Sequence, residues 1–213
     1  MAVRTEEELT NRLDGDIAWR KHELANLSAV LGSVQDSQQA MLVRGAICML
    51  YAHWEGFIKT AASLYLEFVG RRGIKYQNLN RNFWAIGLKS LLNSAGQAKR
   101  TSIHLEIINT ILSYSNNSFK TPAPDTIDTS SNLNSHVLTE ILTAIGFDET
   151  DYMKHRVMLD ERLLRNRNSI AHGDQLSVAT DAYIELHDIV IGLMDRFKND
   201  IQDAAATKGY RVS

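Results

Sequence analysis

Only two prolines occur in 213 residues, Pro122 and Pro124, and a single alanine separates them. Proline removes a backbone donor and its ring clashes with the preceding helical turn, so a chain nearly free of it can run in long helices. The apolar spacing predicts that this one does. Thr5-Glu6-Glu7-Glu8 has the form of a capping box, in which the threonine accepts from an early amide and Glu8 reaches back. Leu9, Leu13, Ile17, Leu24, Leu27 and Leu31 follow at helical spacing, giving a first helix to about Leu31 that Gly32-Ser33 breaks. A longer second helix is predicted from about Ser37 to Val69, ended by Gly70 and Gly73. Its centre, residues 46–52, is apolar all round, which marks a helix packed on several sides.

The rest of the pattern is shorter in period. Residues 71–82 are basic and polar and read as a loop. Short helices are expected at residues 83–92 and at about 100–112. Residues 114–134, rich in Ser, Asn and Thr and holding both prolines, have little to bury and read as a long flexible or functional loop. Ser135 is placed to cap a helix ending at Gly146. A sixth helix is expected over residues 148–171, with Met153, Val157, Leu164 and Ala171 on one stripe. Ser177 is the expected cap of a last helix carrying Ile184, Ile191, Met194, Phe197 and Ile201. The predicted architecture is all-α, an antiparallel up-and-down helical bundle with a long central helix and short accessory helices. It forms one domain over residues 1–213.

Charge and composition narrow the function classes. The formal net charge of -2 provides no global basic field for nucleic acid, so any such ligand needs a local cluster of cations. Cys48 is the only cysteine, which excludes an internal disulfide and a cysteine-based zinc site, and its apolar setting reads as a buried structural thiol. The opening residues, 1–8, are polar and acidic with no signal-peptide core. The most apolar stretch, 41–68, carries Arg44, His53, Glu55, Lys59 and Glu67, against a membrane span. A cytoplasmic protein without membrane attachment is expected. No Gly-rich phosphate loop or Ser-His-Asp order is present, the histidines show no metal-ligand spacing, and no metal or other cofactor is expected.

The sharpest feature is Leu164-Arg165-Asn166-Arg167-Asn168-Ser169-Ile170-Ala171-His172-Gly173. Tandem asparagines are poor helix formers because they compete for backbone hydrogen bonds, so helix propensity does not account for them. The chemistry fits cleavage of a phosphodiester in RNA, which carries its own nucleophile in the 2′-hydroxyl. A near-neutral imidazole can take that proton or protonate the leaving oxygen. A guanidinium can neutralise charge growing on phosphorus, and an asparagine can orient either group. One copy offers a single histidine, so acid and base together are easiest with two copies face to face. On an ideal helix Arg165 and His172 share a face, whereas Arg167 points aside unless Gly173 unwinds the last turn. Spacing leaves open which arginine acts.

Arg167-Asn168-Ser169-Ile170-Ala171-His172-Gly173 resembles the signature of the HEPN (higher eukaryote and prokaryote nucleotide-binding) family: arginine, a polar residue, a variable spacer, histidine. Tyr51-Ala52-His53-Trp54-Glu55-Gly56-Phe57-Ile58-Lys59 is similar to the long helix of a bacterial HEPN branch, the RiboL-PSP or MAE type. The resemblance implies a helical core that dimerises and places both motifs at the interface as one composite site. It further implies a metal-independent endoribonuclease of toxin–antitoxin or phage-defence type that leaves a cyclic phosphate end. Arg167 and His172 would be the catalytic pair and Asn168 the supporting polar residue, with RNA as substrate, a homodimer as the working form and an antitoxin protein as a possible partner. Arg165 has no fixed place in the pattern and is kept with Glu55 as a supporting candidate.

Plainer readings stand beside these. Cations at a helix end interact favourably with its free carbonyls, and Gly173 is an ordinary stop. Glu55 and Lys59, four apart, form a surface ion pair by default, although Glu55 beside Trp54 could instead pair with an arginine of the sixth helix. Arg71, Arg72, Lys75, Arg81, Lys99 and Arg100 read as solvated loop cations. Trp19, Trp54 and Trp84 read as core or interface anchors. The rival functions are a HEPN-type module that binds nucleotide or RNA without cutting, and a dimerisation scaffold.

Overall fold

Thr5 caps the first helix as its spacing predicts: Oγ1 accepts from the Glu8 amide at 3.1 Å while the Glu8 carboxylate accepts from the Thr5 amide at 3.0 Å. The computed structural model describes residues 2–34 and 36–212. Helix α1 spans Glu6–Leu31 and α2 spans Asp36–Arg71. They run antiparallel, because the contacts pair early residues of one with late residues of the other: the Val3 amide donates to Glu67, and Arg20 reaches the His53 carbonyl. The last helix, α9 at Thr180–Thr207, is antiparallel to α1, with Lys21 paired to Asp195 at 2.6 Å and Lys198 to Asp14 at 3.0 Å.

These three helices hold the core. Trp54, Phe57 and Ile58 of α2 are fully buried, as are Val190, Met194 and Phe197 of α9. The all-round apolar centre of α2 is what this requires, since α1, α9 and the later helices each cover part of its surface. His53 is buried too, with Nε2 2.8 Å from a Glu23 oxygen, and burial holds its proton affinity below the ordinary histidine range. Trp19 is about half exposed, so it is not a core anchor.

The shorter helices are α3 (Arg81–Gly87), α4 (Lys89–Gln97), α5 (Thr101–Ser113), α6 (Ser135–Ile145), α7 (Thr150–Met153) and α8 (Arg165–Ala171). The structure corrects four expectations. The helix expected over 83–92 is two, meeting at Leu88. Asn134, not Ser135, caps α6 by accepting from the Val137 amide, and α9 starts after Ala179 with no side-chain cap, so Ser177 plays no such part. The helix expected over 148–171 is interrupted after α7 and then runs as a π-helical segment, Met158–Leu164, into α8. The wider turn shifts the phase of the apolar stripe. Leu159, Leu163 and Leu164 are buried, while Val157 is 59% exposed.

The segment 114–134 is anchored, contrary to its reading as a stretch with little to bury: Phe119, Ile127 and Leu133 are all buried. The Phe119 amide donates to the Ile74 carbonyl at 2.9 Å and the Tyr76 amide to the Asn117 carbonyl at 3.0 Å, so part of it pairs with the chain after α2. It then crosses α2 at Gly70, where an added Cβ would lie 2.4 Å from the Thr121 nitrogen and 2.5 Å from its Cα. Backbone cannot step aside as a side-chain tip can. Gly70→Ala is expected to cost about 1–3 kcal/mol in urea unfolding, the usual range for overpacking. An unchanged midpoint would mean that the crossing segment shifts freely. Among the described residues no helix is long and apolar enough to cross a membrane.

Candidate functional site

Helix α8 lies antiparallel against α2, and one stripe of α2 forms its floor: Arg44, Cys48, Tyr51 and Glu55, at spacings of four, three and four. Arg167 comes down onto this stripe. Its guanidinium carbon stands 4.1 Å from the centroid of the Tyr51 ring, and Nη2 is 3.8 Å from a Glu55 oxygen. Nη1 donates to Asn168 Oδ1 at 2.7 Å and Nη2 to the Ser131 carbonyl at 3.0 Å. The side chains of Arg167 and Glu55 are 25% and 17% exposed, so this pair is screened by water far less than a surface ion pair.

The far wall is the end of the 114–134 segment. Thr129 donates to the other Glu55 oxygen at 2.5 Å, the Leu133 amide donates to the Tyr51 hydroxyl at 2.7 Å, and Asn168 Nδ2 lies 3.4 Å from Asn132 Oδ1. Burial, reinforced by the adjacent Glu55 carboxylate, pushes the Tyr51 phenol up to about 12, so the ring faces Arg167 as a neutral π-surface. Ser130 and Ser131 both have φ of 52°, a left-handed backbone that costs a non-glycine residue of order 1–3 kcal/mol. The Asp128 carboxylate, accepting from the Ser130 amide at 2.7 Å, and the Tyr51 bond to Leu133 hold this bend. The strained turn presents the carbonyl that receives Arg167.

His172 sits elsewhere. It is the C-cap of α8, is exposed, and its amide donates to the Asn168 carbonyl at 2.9 Å. Among the described residues its ring has no hydrogen bond, ion pair or ring contact, with Arg167 or with any other side chain. Gly173, at φ +87°, turns the chain there, and Arg44 Nη2 donates to the Asp174 carbonyl at 2.9 Å, tying that turn back to α2. Arg165 points away: it is 74% exposed and paired with Glu161 at 3.0 Å. Of the candidate residues, the structure brings Arg167, Asn168 and Glu55 together, leaves His172 open at the helix end, and sets Arg165 apart.

Glu55 therefore does not form the ion pair with Lys59 that its spacing offers by default; it turns to Arg167 and Thr129. Cys48 is half-buried rather than enclosed, and burial raises its thiol pKa against the lowering effect of Arg167 and Arg44. Sequence reasoning missed Tyr51, Thr129, Ser131 and Arg44 as parts of this site. The stripe 44–48–51–55 is legible in the helical spacing of α2. The loop residues carry no such signal, because Ser, Thr and Asn are ordinary loop composition. Among the described residues no three His, Cys, Asp or Glu side chains converge as metal ligands would.

The MAE_28990-like HEPN family matches residues 9–210, nearly the whole chain. The chain belongs to this family. No curated protein and no solved structure gives a significant match. HEPN domains are helical modules that typically dimerise and bind RNA, and many are ribonucleases. The segment just described, from the held guanidinium of Arg167 to the exposed imidazole of His172, lies within the matched residues.

Proposed function

We propose that two copies of this HEPN chain form one metal-independent endoribonuclease site, in which Arg167, Asn168 and His172 of each copy face their counterparts. The observation that carries the reading is the immobilised guanidinium of Arg167, gripped by Tyr51, Glu55, Asn168 and Ser131, with His172 exposed at the end of the same helix. A fixed cation stabilises a developing charge without reorganising at the moment of reaction. Among the described residues only two of its five donors are in hydrogen bonds, which leaves donors for a phosphate. One imidazole takes the proton of the 2′-hydroxyl as that oxygen attacks phosphorus. The second copy's histidine, starting as the protonated imidazolium, gives a proton to the departing 5′-oxygen, so the two rings exchange protonation states. The products are a 2′,3′-cyclic phosphate and a free 5′-hydroxyl, and the proton count balances.

Because His172 is exposed at the end of α8 and has no bond to the half-buried Arg167, the two groups reach a common phosphate most simply across a subunit contact. In the cell such an enzyme acts in the cytoplasm as a toxin or phage-defence effector restrained by a partner protein. The purified chain is expected to cut single-stranded RNA in excess EDTA and to leave cyclic phosphate ends, read by mass spectrometry of the fragments. Intact RNA after incubation with a stoichiometric amount of protein would sink the proposal.

One observation favours a second reading, a HEPN module that grips RNA without cutting it. Within a single chain Arg167 already satisfies protein acceptors and, among the described residues, His172 has no hydrogen bond or ion pair. Binding without cleavage in the same assay is the outcome that would select this reading.

A further inference from the structure

Segment 114–126 also closes a cleft against α3 and α4, remote in function from Arg167 but built from the same stretch of chain. Its volume is about 810 Å³, within the range of sites that take a small ligand or part of a larger one. The cleft is polar. Lys89 enters it from α4 and Lys120 from the crossing segment, and neither is in an ion pair among the described residues. Asp125 is the one carboxylate among the lining residues. In a chain of net charge -2, two ammonium groups against one carboxylate leave this cleft net positive, a local seat for an anion.

The floor is aromatic. Tyr114 lines the cleft with its ring centroid 6.0 Å from that of buried Tyr76. Gly87 makes room for Tyr76: a Cβ there would fall 1.9 Å from its hydroxyl. Asn93 and Asn117 add amide donors and acceptors of the kind that meet base edges. Lys120 and Thr121 also line an adjoining hollow with Arg4 and Arg71; Arg71 is paired with Glu67 at 2.8 Å, so Lys120 and Arg4 are the cations that carry positive charge beyond the cleft. A single nucleotide would use only the first part of that run, whereas a strand would use both.

We infer that this cleft binds single-stranded RNA, with Lys89 and Lys120 on successive phosphates and Tyr114 against a base. Aromatic stacking with cations along the backbone is how strands are held without sequence preference. Thr126 of the cleft lies three residues before Thr129, the partner of Glu55, so one segment serves both places. The inference rests on the reading of this chain as a protein that acts on RNA, and not on cleavage at His172.

The test uses the full chain carrying His172→Ala and a fluorescent oligouridine of about twelve nucleotides, with binding read by anisotropy across a salt series. Adding Lys89→Ala with Lys120→Ala should weaken binding about tenfold at low salt. It should also flatten the slope of log K against log salt by about 1.4, two phosphates at about 0.7 each. Both lysines are exposed, so the fold is kept, and arginine at both positions should restore the slope. Tyr114→Ala should weaken binding about tenfold with the slope unchanged. Unchanged binding in the double alanine variant overturns the inference, as does failure of the chain to bind the oligonucleotide at all. Free UMP competing at equal nucleotide concentration overturns it too, since the occupant is then a nucleotide and not a strand. Binding that depends on the lysines in a chain that never cuts RNA leaves the cleft standing and removes the nuclease reading. Cleavage with lysine-independent binding does the reverse.

Discussion

His172→Ala should lower the rate of RNA cleavage by about 10²–10⁴, the usual contribution of a positioned acid or base. Its ring is exposed and makes no bond among the described residues, so stability should stay unchanged, which makes the variant a clean probe of chemistry. Arg167→Ala should cost about 10²–10³ in rate, the scale of losing one preorganised donor to a developing oxyanion. That substitution also leaves Glu55 without its cation, so unfolding must be measured beside activity. Arg167→Lys separates the two effects, because it keeps a charge near Glu55 but loses the planar fork. The composite site has a sharper signature. A mixture of wild-type and His172→Ala chains forms mixed dimers that hold one imidazole in place of two. Activity should then fall as the square of the wild-type fraction, because acid and base come from different copies. A fall in simple proportion to that fraction, with subunit exchange shown to occur, would place acid and base in one chain and break the dimeric site.

The largest expected effect on stability lies in the core. Trp54→Ala should cost about 3–5 kcal/mol, through lost burial and the cavity left behind. A typical domain is stable by about 5–15 kcal/mol, so the variant would keep little reserve and its denaturation midpoint should fall steeply. Trp54 is fully buried at the centre of α2, and no described residue accepts from its indole N–H. Trp54→Phe removes that unmatched donor together with part of the ring, so it should cost much less than alanine. Equal losses for the two would mean that the indole N–H has a partner of its own.

Sequence and structure agree where a single physical signal dominates. The capping box and the leucine spacing of α1 place its start and end within a residue, and the apolar centre of α2 identifies the helix on which α1, α6, α8 and α9 pack. Agreement fails where two signals compete. Residues 148–171 keep a helical spacing on paper, yet the π-helical stretch Met158–Leu164 rotates the buried face from Val157 to Leu159 and Leu163, and no propensity scale marks that turn. Segment 114–134 is anchored by Phe119, Ile127 and Leu133, too far apart to register as a period. The same holds at the site. Arg167, Asn168 and His172 stand out as residue types, and the pairing of Glu55 with an arginine follows from the cost of an unpaired carboxylate in an apolar helix. Ser131, by contrast, contributes only a backbone carbonyl, which any residue carries.

The widened turn at Met158–Leu164 also sets the reading frame of the motif in space. Each residue added to or removed from a helix rotates its downstream turns by about 100°, so one deletion there would swing the guanidinium off its aromatic seat while leaving every motif letter intact. Two chains with the same arginine, asparagine and histidine could then differ wholly in competence, one armed and one blank, according to a single count upstream.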